Sequence, residues 1–117
     1  MKTFEDLEKL VLIWSKAKGI LDNSTALIQL GKTQEELDET REALENQEKG
    51  NSSYINSKGK VVNTEEEIKD GYGDQLVTLI NGAQLSGLSL VDCLEQAYNV
   101  IAKRQGKLVD GLFVKND

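Results

Sequence analysis

A chain of 117 residues with no proline can run helices for as long as its side chains allow. Proline removes a backbone donor and clashes with the preceding turn; average usage is about 5%. Good helix formers fill the gap, so the expectation is a mostly α protein with long, unbroken helices. The length suits one domain spanning residues 1–117. With 38% hydrophobic residues, the core is modest and must be shared between helices or with a partner chain.

Punctuation places four helices. Thr3 and Asp6 form a capping box for the first, which carries Phe4, Leu7, Leu10, Val11 and Trp14 to about Lys18. Trp14 is expected in the core. A second, long helix starts at Asn23 or Ser24 and reaches about Glu48. Its Leu30, Leu37 and Leu44, with Leu27, form a narrow seam facing another helix. Thr64 and Glu67 form a capping box for the third, with Gly71 and Gly73 loosening its start. Ser89 and Asp92 cap a fourth, running to about Arg104. Between helices two and three, Tyr54-Ile55 and Val61-Val62 flank Ser57-Lys58-Gly59, a hairpin signal near residues 53–62. Asp110-Gly111 gives a second hairpin in the tail. The architecture expected is a four-helix-bundle-like fold with two small hairpins.

The chain has no histidine and one cysteine, Cys93. Histidine-based triads, histidine zinc sites and an intrachain disulfide are therefore excluded. Fourteen basic and twenty acidic residues give a net charge of −6, which argues against nucleic acid as a partner. The longest apolar stretch, Leu10 to Trp14, is far too short to span a membrane, and Glu5, Asp6 and Glu8 interrupt any signal-peptide core. A cytoplasmic location is expected.

The chemistry concentrates on three helices. Gln29, Lys32, Glu36 and Glu39 fall on one strip of the second helix beside its leucine seam, with Glu35, Asp38 and Glu42 further round. Asp70, Asp74 and Asn81 stack along one face of the third. The fourth carries Asn99 and Lys103, with Arg104 adjacent. Acids turned toward an interior repel one another and cost several kcal/mol each to desolvate. A hard divalent cation, Mg²⁺ or Mn²⁺, relieves that cost, and an all-oxygen donor set selects it. Acids, metal, Lys and Arg together point to phosphoanhydride hydrolysis. The plainer reading is a solvated acidic face on a non-catalytic helical interaction module.

The run from Trp14 to Glu39 with its Glu35-Glu36-Leu37-Asp38-Glu39, the segment Lys69-Asp70-Gly71-Tyr72-Gly73-Asp74, and the end from Tyr98 resemble MazG-like nucleotide pyrophosphohydrolases. The likeness is to the short single-domain members, phage-encoded ones included, for which the location would be the host cytoplasm. It leaves about Glu45 to Asn63 unmatched. The resemblance implies an all-α NTP pyrophosphatase fold, a homodimer or homotetramer, and Mg²⁺-dependent cleavage of a nucleoside triphosphate to the monophosphate and pyrophosphate. By the resemblance, Glu36, Glu39 and Asp74 bind metal; Lys32, Asn99 and Arg104 bind phosphate; Trp14 and Gln29 lie near the nucleotide. The usual acid three residues before Asp74 is here Gly71, so Asp70 is the substitute ligand. The roles expected are metal binding by Glu36, Glu39, Asp70 and Asp74, and water activation by Glu35 with Glu36 and Lys32. Substrate binding falls to Trp14, Gln29, Lys32, Asn81, Asn99, Lys103 and Arg104. A nucleotide-binding protein that has lost catalysis through the Gly71 departure is a further alternative.

Overall fold

A computed structural model describes residues 1–116, about two thirds of the chain being helical. The elements run α1 (Phe4–Ala17), α2 (Ile20–Asn23), α3 (Ala26–Glu48), β1 (Ser53–Ile55), β2 (Val61–Asn63), α4 (Thr64–Leu85), α5 (Leu90–Ile101), β3 (Gly106–Val109) and β4 (Leu112–Lys115). The mostly α character follows the sequence, and both hairpins form. In the tail, Asp110 and Gly111 take positive φ of 50° and 80°, as a tight two-residue turn requires.

Caps set the helix boundaries. The α1 box forms as expected: Asp6 N–H donates to Thr3 Oγ1 at 3.1 Å, and Thr3 N–H to Asp6 Oδ2 at 3.2 Å. The second helix is displaced from its expected start. A single turn, α2, occupies residues 20–23, and α3 begins only after Thr25, whose hydroxyl accepts from Ile28 N–H at 3.1 Å. The α4 cap is Asn63 and not Thr64; Asn63 Oδ1 accepts from Glu66 N–H at 3.0 Å. Thr64 instead donates to Asn51 O at 2.6 Å, tying the helix to the turn after α3, and Glu67 is freed for another role. Neither Gly71 nor Gly73 interrupts α4. Ser89 caps α5, which ends at Ile101, so Lys103 and Arg104 lie beyond it.

The β1–β2 hairpin links α3 to α4, and the two long helices pack antiparallel. Successive bridges descend the pair: Asn81 to Gln29, Thr33 to Thr78 at 2.6 Å, and Gln75 to Thr40 at 2.9 Å. Glu36, Thr40 and Ala43 are the buried residues of α3. The leucine seam flanks the contact with α4 rather than filling it: Leu27 and Leu30 line a groove with Leu79 and Gly82, Leu37 and Leu44 one with Tyr72 and Gln75, and Leu27, Leu30 and Leu37 are 78%, 57% and 41% exposed. The surface that packs on α4 is the polar strip beside them.

Small and hydroxylated residues make this packing work. Gly71 is buried, and a Cβ there would collide with Thr40 Oγ1 and lie 3.0 Å from Thr40 Cβ. An acid at position 71 has no room beside Thr40 in this packing. Glu8 of α1 is buried and pins α5 from the side. Its carboxylate accepts from Ser89 Oγ and from Val91 N–H, each at 3.1 Å. At Ser86–Ser89 the chain bends, so α5 turns 98° from α4.

Apolar burial is small. Ala43 and Ile80 are the only buried hydrophobic residues among those described. The radius of gyration, 16.9 Å, exceeds the roughly 13 Å of a close-packed domain of this length. No single helix among the described residues is long and apolar enough to cross a membrane.

Candidate functional site

The α3/α4 pair brings two acid ladders together. On α3, Glu36, Glu39 and Glu42 recur every three residues; on α4, Glu67, Asp70 and Asp74 recur at three and four. Antiparallel packing sets these ladders opposite each other at the end of the pair next to the β1–β2 hairpin. Their mutual fields record the convergence. Burial pushes the Glu36 carboxyl above its ordinary value, and the charges of Glu39 and Asp74 push it further, with Lys32 opposing. Asp74 is raised by burial, then by Asp70 and Glu39, again against Lys32. Glu67 is raised by burial, then by Asp70, Glu39, Asp74 and Glu42. Six carboxylates share one neighbourhood.

Sequence reasoning missed two members: Glu42, read as solvated charge further round α3, and Glu67, assigned to a cap. The signal available was the Glu67, Asp70, Asp74 spacing, which puts all three on one helical face. Glu36 is the most buried of the six at 8% exposure, whereas Glu39 and Glu67 are half-buried and Asp70 and Asp74 line the open side. Among the described residues, no three His, Cys, Asp or Glu side chains are placed close enough together to hold a metal ion. Glu39, Glu42 and Glu67 line a cavity beneath the hairpin and Asp74 another beside α1, and carboxylate oxygens are the donors a hard divalent cation takes. Burial and like charge both disfavour the ionised cluster, and a cation relieves both. The residues suit Mg²⁺ or Mn²⁺ in donor type, and their side chains would have to draw together to hold it.

Two cations reach the acids. Lys32 Nζ lies 3.1 Å from Glu35 Oε2 and 3.6 Å from Glu36 Oε1, and the hydrogen bond to Glu35 holds its ammonium above the ordinary lysine value. Glu35 therefore sits on the solvent side, paired with Lys32. From the hairpin, Lys58 Nζ lies 3.2 Å from Glu39 Oε1. Asn99, Lys103 and Arg104 are exposed, and no ion pair among the described residues joins them to the acids.

Gln29 and Asn81 belong to an internal strut. Ser15 Oγ donates to Asn81 Oδ1 at 2.5 Å, Asn81 Nδ2 reaches Gln29 Oε1 at 3.5 Å, and Gln29 Nε2 donates to Ser24 Oγ at 3.0 Å. Asn81 is 2% exposed, so its amide crosslinks α1 to α3 and α4. Trp14 is not in the core as expected, but half-exposed. It helps line a cavity of about 400 Å³ between α1 and α4, together with Leu7, Leu10, Val11, Val77 and Asp74. An apolar, aromatic-walled cavity thus opens beside one of the acids.

No protein-family model matches the chain, and neither a curated protein nor a solved structure matches it.

Proposed function

We propose that the chain is a Mg²⁺-dependent nucleoside triphosphate pyrophosphohydrolase of the MazG-like type, cleaving its substrate to the monophosphate and pyrophosphate. The observation that carries this reading is that antiparallel packing of α3 on α4 brings Glu36 and Glu39 to the same end of the pair as Glu67, Asp70 and Asp74. Glu36, Glu39 and Asp74 would hold the ion, with Glu67 and Asp70 completing its surroundings. When bound, Mg²⁺ supplies a lowered pKa for its water and charge neutralisation on the phosphates.

Water attacks the α-phosphorus; a new P–O bond forms, the bond to the bridging oxygen breaks, and pyrophosphate leaves with the electron pair. Glu35, steadied by Lys32, is the acceptor for the proton that the attacking water loses. Lys32 also offsets charge as the leaving group departs, an electrostatic role usual in phosphoryl transfer. The Trp14 cavity beside Asp74 is apolar and aromatic, the chemistry a nucleobase needs. Base and phosphates would then meet at Asp74.

The partner we propose is a second copy of this chain, in a homodimer or a homotetramer. The outward leucines of α3, with the tail hairpin and its exposed Leu108, Leu112 and Phe113, leave more apolar surface open than a monomer of this size carries comfortably. A compartment reached by nucleotides, the cytoplasm, suits this activity.

The test is pyrophosphate release from a panel of deoxy- and ribonucleoside triphosphates with Mg²⁺. Glu39→Gln and Asp74→Asn should each reduce turnover by roughly a hundredfold or more. Full turnover in both variants contradicts the metal assignment. Nucleotide binding without release would favour a non-catalytic nucleotide-binding protein. Neither binding nor release would favour a helical interaction module.

A further inference from the structure

A triphosphate brings about four negative charges at neutral pH to a cleft that already holds six carboxylates, and one divalent ion cannot balance both. More cation is needed. Lys32, between Glu35 and Glu36, supplies one positive charge; Lys69 pairs with the outer Glu65 and Glu66, and Lys103 and Arg104 form no ion pair with the cluster among the described residues. The cation that faces the cluster from across the cleft is Lys58.

The β1–β2 hairpin is built to put it there. Its turn is closed by Asn56, whose side-chain oxygen accepts from Lys58 N–H at 3.0 Å and Lys60 N–H at 2.9 Å, with Gly59 at φ 78°. Its base is anchored where Thr64 N–H donates to Ser52 O at 3.0 Å and Thr64 Oγ1 to Asn51 O. Its tip leans on α3, Ser57 N–H donating to Glu42 Oε1 at 3.3 Å. Between hairpin and helices lies a cavity of about 200 Å³ whose wall carries both signs of charge: Lys58 and Lys60 on one side, Glu39, Glu42 and Glu67 on the other, with Tyr54 between. An exposed ion pair on a flexible loop is worth little. Here the Lys58–Glu39 pair is itself exposed, and the braced turn fixes the backbone from which the lysine reaches an acid assigned to metal binding.

We infer that Lys58 is a phosphate-binding residue that neutralises Glu39 until a divalent ion takes its place, and then pairs with the pyrophosphate end of the substrate. This rests on the hydrolase reading above. Lys60, on the same wall, adds a second positive charge at longer range. The hairpin thereby becomes one jaw of the site, and its ammonium is a tethered competitor for the metal.

The experiment measures two affinities without turnover: Mn²⁺ alone, by electron paramagnetic resonance, and magnesium pyrophosphate, by calorimetry. Lys58→Ala should bind pyrophosphate about tenfold more weakly, the scale of one lost charge-assisted hydrogen bond, and should bind Mn²⁺ a few-fold more tightly because the competing cation is gone. Lys58→Arg should keep pyrophosphate affinity within about threefold of the parent. Lys107→Ala, on the tail hairpin, controls for simple loss of charge and should change neither. If the parent binds both ligands but Lys58→Ala shows unchanged pyrophosphate affinity, or no gain in Mn²⁺ affinity, the Lys58 assignment is overturned while the hydrolase reading stands. A parent chain that binds neither overturns both.

Discussion

The two faces of α3 are used in opposite senses. The face toward α4 is polar yet closed: Gln29, Thr33, Glu36 and Thr40 meet Asn81, Thr78, Asp74 and Gln75 through hydrogen bonds and electrostatic fields. The flank beside it is apolar yet open: Leu27, Leu30 and Leu37 are exposed along grooves that they share with α4 residues. In a self-sufficient helical domain the assignment would be reversed. Each face is thus short of something. The inner one lacks positive charge, which a metal ion would supply, and the outer one lacks apolar cover, which a second copy would supply.

The largest effect is expected where the inner face is tightest. Gly71→Leu must drive Thr40 out of its place, break its bond from Gln75, and separate the helices at the acid cluster. A loss of about 3 kcal/mol or more in urea unfolding is expected, with Gly71→Ala closer to 1–3 kcal/mol. A chain that accepts leucine at 71 without penalty would show that the close approach is not real.

On the outer face, Leu30→Asp combined with Leu37→Asp should shift sedimentation from the dimer or tetramer to the monomer. The cost is set by burial worth up to about 1.5–3 kcal/mol per leucine. The melting temperature should also lose its dependence on protein concentration. The same oligomer in the double variant would move the interface elsewhere, the tail hairpin being the next surface.

The pH dependence of the metal-free protein separates the faces again. Glu36, Glu67 and Asp74 are all raised in the folded chain, so the folded state binds more protons than the unfolded one between the ordinary carboxylate range and the raised values. Stability should fall as pH rises from the ordinary carboxylate range through the raised values, and stay lowered above them. Glu36→Gln should flatten this fall; the leucine changes should not. A smaller effect, a few tenths to about 1 kcal/mol, is expected for Asn63→Ala at the α4 cap. Thr64→Ala should act through its bond to Asn51 and not through the cap.

Much of this was legible in the sequence, and the failures share a cause. Thr3/Asp6, Ser89 and Asp110-Gly111 were readable because each acts within a few residues, and local chemistry decides the outcome. The burial of α3 was not. Periodicity reveals that a leucine seam and an acid strip exist but not which of them meets the neighbouring helix. That choice was made by Gly71, Thr78 and Asn81, thirty or more residues further along the chain. Glu67 was hidden by Thr64, a plausible cap that lost to Asn63 one residue earlier. Trp14 was hidden by its own size, since a large aromatic at helical spacing is usually core, and here it walls a cavity beside Asp74. Lys58 falls in the stretch that no resemblance covered, and only the hairpin register brings it to Glu39.

The most direct measurement is thermal unfolding of the parent chain, and of Glu36→Gln with Asp74→Asn, with and without Mg²⁺ or Mn²⁺. Acids held around a cleft should gain RT ln(1 + [L]/Kd), about 2.7 kcal/mol at a hundredfold excess over Kd, a rise of roughly 10 °C or more for a domain of this size. The double variant should lose most of that rise. A parent chain whose melting temperature ignores millimolar Mg²⁺ and Mn²⁺ would contradict the account at its centre.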